Sequence, residues 1–246
     1  MQEHMHENEK KVFETYEQLA SEVLKKGYRH NPIYLARKAI VDWDLLVSVP
    51  LQGKRVLNVG CFEPIDELVW AGIVKEWVAV DLSPAAIQTA QAIINAELSS
   101  ALAKKIQFQV MDAQRLNFED GEFDLAVSFS VLDHMPDPEI RDKAIREMTR
   151  VVSKGGYVVI TVPNRYSYYR IMYQQNVRRG MQLHVGYQYF YSYWELKNKL
   201  ISSGLKPLRF TSDMKNVGDL PKWLRGVLLP LRLFGDRMGF IAQKQP

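Results

Sequence analysis

Two acidic residues close apolar runs in this chain: Asp81 after Trp77-Val78-Ala79-Val80, and Asp112 after the run that starts at Ile106. Around the first, residues 56–90 read VLNVGCFEPIDELVWAGIVKEWVAVDLSPAAIQTA. An apolar run ends on Gly60, a helix-like stretch follows, and a second apolar run ends on Asp81. That is the order of a βαβ unit, whose small ligands sit at the carboxyl edge of the strands, over the first turn. An acid ending the second strand can accept from both hydroxyls of a ribose. The unit therefore reads as a nucleoside site. Its turn, Gly60-Cys61-Phe62-Glu63-Pro64, keeps only the first of the glycines that let a backbone approach a pyrophosphate. Phe62 would crowd that group and Glu63 would repel it, which argues against a dinucleotide.

The stretch resembles motif I of the class I S-adenosylmethionine-dependent methyltransferases, written (D/E)-x-G-x-G-x-G. It departs from that pattern at Asn58, in place of the acid, and at Phe62 and Pro64, in place of glycines. Further matches follow in order. Met111-Asp112-Ala113 stands at the family's acid after the third strand, and Phe123-Asp124-Leu125-Ala126-Val127 at its fourth strand. Val131-Leu132-Asp133-His134-Met135 and the turn Lys154-Gly155-Gly156 fall where the family has its next segments. The resemblance covers roughly residues 50–164 and is nearest to the branch with the ubiquinone and menaquinone methylases.

This resemblance implies an α/β fold: a Rossmann-like seven-stranded sheet, mostly parallel with an antiparallel last strand, and helices on both faces. It implies S-adenosyl-L-methionine as cofactor, held by Asn58, Gly60, Cys61, Phe62, Asp81, Leu82, Asp112, Ala113, Ser130 and Val131, with Asp112 taking the adenine amino group. The activity it implies is methyl transfer to a small-molecule or lipid-like acceptor. The alternative is a non-catalytic binding or scaffold subunit whose motif I has eroded.

A base is needed only where the acceptor must lose a proton. His134 is the first candidate, since an imidazole with a pKa near ~6.5 suits proton removal. The acceptor itself is expected at residues 165–194, which hold eight of the twelve tyrosines. Tyr166, Tyr169, Tyr173, Tyr187 and His184 are the candidate contacts there, through ring faces and hydroxyls. Arg165 and Arg170, with Arg178 and Arg179, are the candidate grip for an anionic group. The final third is basic: residues 165–246 carry 14 Lys and Arg against 4 Asp and Glu. That balance suggests an anionic or aromatic acceptor or an anionic surface. The basic residues are spread among aromatics and leucines, which disfavours nucleic acid.

The elements that must place these groups follow from periodicity. Helical spacing runs over 8–26 and 33–48, and strands alternate with helices from Leu51 to about residue 163. Ser83-Pro84 reads as a helix cap, 138–152 and 192–203 as helices, and 205–212 and 237–244 as the last strands. A single methyltransferase domain is expected over 1–246: N-terminal helices to 50, a cofactor core over 51–164, an aromatic insert over 165–194, and the remainder. The stretch 214–235 mixes leucines with Lys222, Arg225 and Arg232, so peripheral membrane contact and a homodimer both stay open. A cytoplasmic location is expected from the polar N-terminus and the absence of an apolar run of ~18 residues. One cysteine, Cys61, excludes an intrachain disulfide, and the histidine spacing shows no metal site.

Overall fold

The computed structural model describes residues 7–26, 38–181, 187–213 and 233–245. Its strands are β1 (Arg55–Val59), β2 (Glu76–Asp81), β3 (Ile106–Val110), β4 (Phe123–Phe129), β5 (Val152–Pro163), β6 (Leu205–Ser212) and β7 (Arg237–Lys244). They form one sheet in the order β3-β2-β1-β4-β5-β7-β6. The first five are parallel, and β7 runs antiparallel between β5 and β6. Strand order reverses between β1 and β4, and such a switch point opens a crevice at the carboxyl edge.

The central strands are apolar on both faces because helices cover both. Side chains alternate along a strand, so β1 feeds two cores. Val56 packs in the layer with Trp77, Ala79, Leu125 and Val127, while Leu57 and Val59 pack with Val78, Val80 and Ala126. The longer described helices are α1 (Glu7–Lys26), α2 (Ile65–Trp70), α3 (Pro84–Glu97), α4 (Pro138–Val151), α5 (Tyr168–Arg178) and α6 (Tyr193–Ser202). Ser83 caps α3 by accepting the Ala86 N–H at 2.9 Å, with Pro84 in the first turn. Asp137 and Ser192 cap α4 and α6 in the same way.

The fifth strand begins earlier than its apolar run suggests. Lys154-Gly155-Gly156 lies inside β5, and a register shift against β4 between Phe123 and Leu125 accommodates it. The described part of the 33–48 helix is a wide π-helical turn, Ala39–Trp43, continued by Asp44–Leu46. Most of the leucine-rich tract at 214–235 lies outside the described residues. No described helix is long and apolar enough to cross a membrane.

Candidate active site

A cavity of about 740 Å³ runs across the carboxyl edge of the sheet. Its wall takes Asp112 after β3, Asp81 at the end of β2, Gly60 after β1 and Ser130 after β4. It continues past Pro163 of β5 and Arg237 of β7 to Asp213 after β6. Neighbouring strands stand ~4.8 Å apart, so the step from β3 to β4 spans about 14 Å. An elongated ligand lying along that edge meets the groups in strand order.

The first turn is shaped for close approach. Gly60 has φ +82°, and a Cβ there would lie 2.4 Å from a methyl carbon of Val131. Only glycine fits such a position. The Gly60 and Cys61 N–H groups both donate to the Val80 carbonyl, at 2.7 and 3.1 Å. Phe62 also adopts a left-handed backbone, φ +32°, where glycine is the easier residue. Its N–H donates to Asp81 Oδ2 at 3.0 Å, which holds the turn in that shape. The Phe62 ring lines the cavity and meets Tyr16 edge-on at 5.4 Å.

Asp81 Oδ1 accepts the Ser83 N–H at 3.0 Å. Each carboxylate oxygen can accept twice, so Asp81 keeps one lone pair per oxygen for a pair of hydroxyls. Burial raises its affinity for a proton, against backbone N–H groups, chiefly those of Ser83 and Phe62. Asp112 is oriented by the Gln114 N–H at 2.9 Å and the Gln114 side-chain amide at 3.3 Å. Leu82, Ala113 and Val131 also line the cavity. Burial also pushes the Cys61 thiol well up, so it stays protonated and serves as a small packing group in the turn. Two acids with spare acceptors and a turn with no Cβ at Gly60 suit a nucleoside with an uncharged link, and Glu63 beside that turn would repel a pyrophosphate.

Several lining groups are absent from the sequence-based set. Val12, Phe13, Tyr16 and Leu19 reach the cavity from one face of α1. Spacing marked that helix but could not say what its face covers. Glu17 fastens it: its carboxylate accepts from the Ser83 hydroxyl and from the Ala85 N–H at 3.1 Å, at the positive end of α3. Thr89 of α3 donates to the Ala20 carbonyl at 3.1 Å.

A second group of buried charges lies beside β1. Lys38 bridges Asp66 at 2.8 Å and Asp42 at 3.2 Å. Arg237 donates to both oxygens of Asp42, at 3.0 and 3.1 Å. Asn58 lines the cavity, but its side-chain N–H donates inward, to Glu67 Oε1 at 2.7 Å. Trp77 Nε1 donates to the same oxygen at 2.7 Å.

At the far end the wall is made by Tyr169, Gln188, Asp213 and Asp236. Here the structure departs from expectation. Arg165 donates to Glu195 Oε2 at 2.9 Å and to the Tyr189 hydroxyl at 2.7 Å, and Arg170 donates to the Arg165 carbonyl at 3.1 Å. Neither lines the cavity; the Glu195 carboxylate engages Arg165 and the Arg165 carbonyl engages Arg170. Arg178 and Arg179 are exposed at the end of α5. Tyr166 lies outside the cavity beside Phe234, and the Tyr173 hydroxyl accepts the Gln188 N–H at 3.0 Å from behind the wall. Tyr187 contributes its carbonyl, which accepts from His134 Nδ1 at 2.9 Å. His184 lies outside the described residues.

His134 lines the cavity with its ring. Because Nδ1 meets a carbonyl, that nitrogen carries a proton. Nε2 faces Asp133 Oδ2 at 3.3 Å, and Asp133 is fully buried. Both nitrogens are thus turned to protein groups, and the expected base is placed as a wall residue, 5.1 Å edge-on from Tyr16.

Residues 57–160 match the model of a family described as a methyltransferase domain. Among relatives, the chain is 35% identical over 108 residues to tocopherol O-methyltransferase of Arabidopsis thaliana, 44% of this chain and 29% of that protein. It is 22% identical over 198 residues to the ubiquinone biosynthesis O-methyltransferase of Bordetella avium, 80% of this chain and 75% of that one. The chain thus spans less than a third of the length of the plant relative. Its fold is that of magnesium protoporphyrin IX methyltransferase from Synechocystis, solved with bound SAH: TM-score 0.68 at 12% identity, over 97% of this chain and 100% of that one.

Proposed function

We propose that the chain is a class I S-adenosylmethionine-dependent methyltransferase, on the match of residues 57–160 to a methyltransferase domain, and that it transfers a methyl group to the hydroxyl of a small aromatic or lipid-like acceptor. One observation carries the reading: Asp112, Asp81, the Gly60 turn and Ser130 line a single cavity in strand order, and that cavity continues to a separate polar end. In this reading Asp112 accepts from the adenine amino group, Asp81 accepts from both ribose hydroxyls, and the Gly60 turn passes under the amino-acid tail. When bound, S-adenosylmethionine supplies a methyl group already activated on a sulfonium, so the chain's task is to hold nucleophile and donor in line.

The acceptor lies beyond β4, between Tyr169, Gln188, Asp213 and Asp236. The named relatives, a tocopherol and a ubiquinone biosynthesis O-methyltransferase, favour an apolar body with a hydroxyl. The apolar face of α1 and Met135 offer it a wall. Asp213 Oδ1 is buried without a hydrogen-bond partner, so a hydroxyl facing it would satisfy both groups. Burial, and then Asp236, raise the proton affinity of Asp213. We assign Asp213 the acceptor's proton and His134 a positioning role. Lys38 and Arg237, cations on the wall, are paired with Asp42 and, for Lys38, also with Asp66, which favours a hydroxyl-bearing acceptor over an anionic one.

The test is transfer of a deuterated methyl group from S-adenosylmethionine to an alkylated hydroquinone, read by mass spectrometry. Labelled ether is the expected product. A chain that binds S-adenosylhomocysteine yet transfers to no hydroquinone, phenol or amine would favour the non-catalytic alternative.

A further inference from the structure

Glu67 is buried in α2 at 0% exposure, directly behind the cofactor turn. One of its oxygens accepts from two neutral donors, Asn58 Nδ2 and Trp77 Nε1, each at 2.7 Å. The other, Oε2, is buried and has no hydrogen-bond partner. A carboxylate placed this way is costly unless something offsets its charge. Lys38, whose charge reaches Glu67, also bridges Asp66 and Asp42. Asp66, next in α2, adds a second negative charge beside Glu67. Nothing in the packing explains an acid here, since a glutamine would accept from Asn58 and Trp77 equally well.

Asn58 links this acid to the cavity. An amide is planar, so donating Nδ2 to Glu67 fixes the direction of its carbonyl oxygen. That oxygen is the group Asn58 can offer a ligand. Along the sheet edge, Asp112 and Asp81 precede β1, so the tail of a ligand laid in strand order reaches Asn58. The tail of S-adenosylmethionine carries an ammonium group.

We propose that Glu67 is a positioning residue for the amino-acid end of the cofactor: it orients Asn58 Oδ1 toward the ligand's ammonium and places a negative charge behind that amide. The inference rests on the cofactor reading above. It locates the acid of motif I one residue layer deeper, on α2 in place of β1, with Asn58 as the intermediary. Burial, then Asp66, lift the Glu67 carboxyl to about 7, while Asn58, backbone N–H and Lys38 pull it down. The ionised form that attracts an ammonium therefore dominates above that pH. The other titratable groups packed around it are Asp66, Lys38 with Asp42, and the protonated thiol of Cys61.

The experiment compares two ligands. S-adenosylhomocysteine carries the amino-acid tail, and 5′-methylthioadenosine lacks it. Their affinities are measured by titration calorimetry from pH 5.5 to 8.5, for the wild type and for Glu67→Gln. In the wild type the ratio of the two affinities is expected to rise on the order of fivefold as pH passes through the neutral range, the size of a Coulomb attraction across one amide. In Glu67→Gln the ratio is expected to be lower at pH 8 and flat with pH. A ratio independent of pH in the wild type overturns the proposal even if the variant does not fold. So does a ratio in Glu67→Gln equal to that of the wild type at every pH. Failure of both ligands to bind the wild type is a different result: it overturns the cofactor reading itself, and this inference with it.

Discussion

At the scale of single residues, the site depends on groups whose neighbours leave them one conformation. Gly60 is the sharpest case. Gly60→Ala forces a Cβ into Val131 at a backbone angle that L-residues rarely adopt. A loss of about 1–3 kcal/mol is expected in denaturant unfolding, with weaker S-adenosylhomocysteine binding. A variant as stable as the wild type would mean that the turn differs from the one described. The two candidates for proton removal separate kinetically. Asp213→Asn is expected to lower kcat about 100-fold with S-adenosylhomocysteine affinity unchanged. His134→Gln is expected to change KM more than kcat, since both ring nitrogens already face protein groups. The reverse pattern would return the base role to His134.

At the scale of elements, α1 acts as a wall whose hold on the body is concentrated in Glu17 and Thr89. Glu17→Ala removes an acceptor at the α3 N-terminus and is expected to cost about 0.5–2 kcal/mol locally. Hydrogen exchange should show α1 amides opening faster while the β1 and β4 amides keep their protection. Equal protection in α1 would show that its apolar face alone holds it. Much of this layer was legible in the sequence. The last two strands fall at 205–212 and 237–244 as their patterning indicates, and Ser83-Pro84 starts α3. Alternation and cap chemistry are local, so they survive folding. The role of α1, the inward turn of Asn58 and the engagement of Arg165 by Glu195 were not legible. The roles of α1 and Arg165 depend on partners far along the chain, that of Asn58 on Glu67 in the next element, and Asn164 pairs with Tyr191 to bring the insert back to the sheet. Arg165 and Arg170 stood out by residue type, but type does not tell which acid a guanidinium will meet.

At the scale of the whole molecule, buried acids give stability a definite pH dependence. Glu67 has an ordinary value of 4.5 and is lifted to about 7 in the fold, chiefly by burial. Between those values the folded chain holds a proton that the unfolded chain has released. Its stability contribution therefore grows as pH falls from 8 toward 5. Burial moves Asp81 and Asp213 in the same direction. Glu147 opposes this at lower pH: hydrogen bonds from Arg150 hold it below its ordinary value, so the stability it gives is lost only as acid protonates it. The melting temperature of the ligand-free chain is expected to be higher at pH 5.5 than at pH 8, with a smaller difference in Glu67→Gln. A flat or opposite profile in the wild type would mean that Glu67 folds as an ordinary carboxylate. The ligand and the fold thus pull Glu67 in opposite directions, since the empty site favours the proton and an ammonium would expel it.

The central claim is that one nucleoside-bearing methyl donor lies along the carboxyl edge from Asp112 to Ser130. Its most direct measurement is titration calorimetry of S-adenosylhomocysteine into the wild type and into Asp81→Ala. The account predicts one equivalent bound by the wild type and a loss of about 1.5–3 kcal/mol in the variant, whose ligand hydroxyls lack a charged acceptor. No binding by the wild type, or equal affinity in the two proteins, would contradict it.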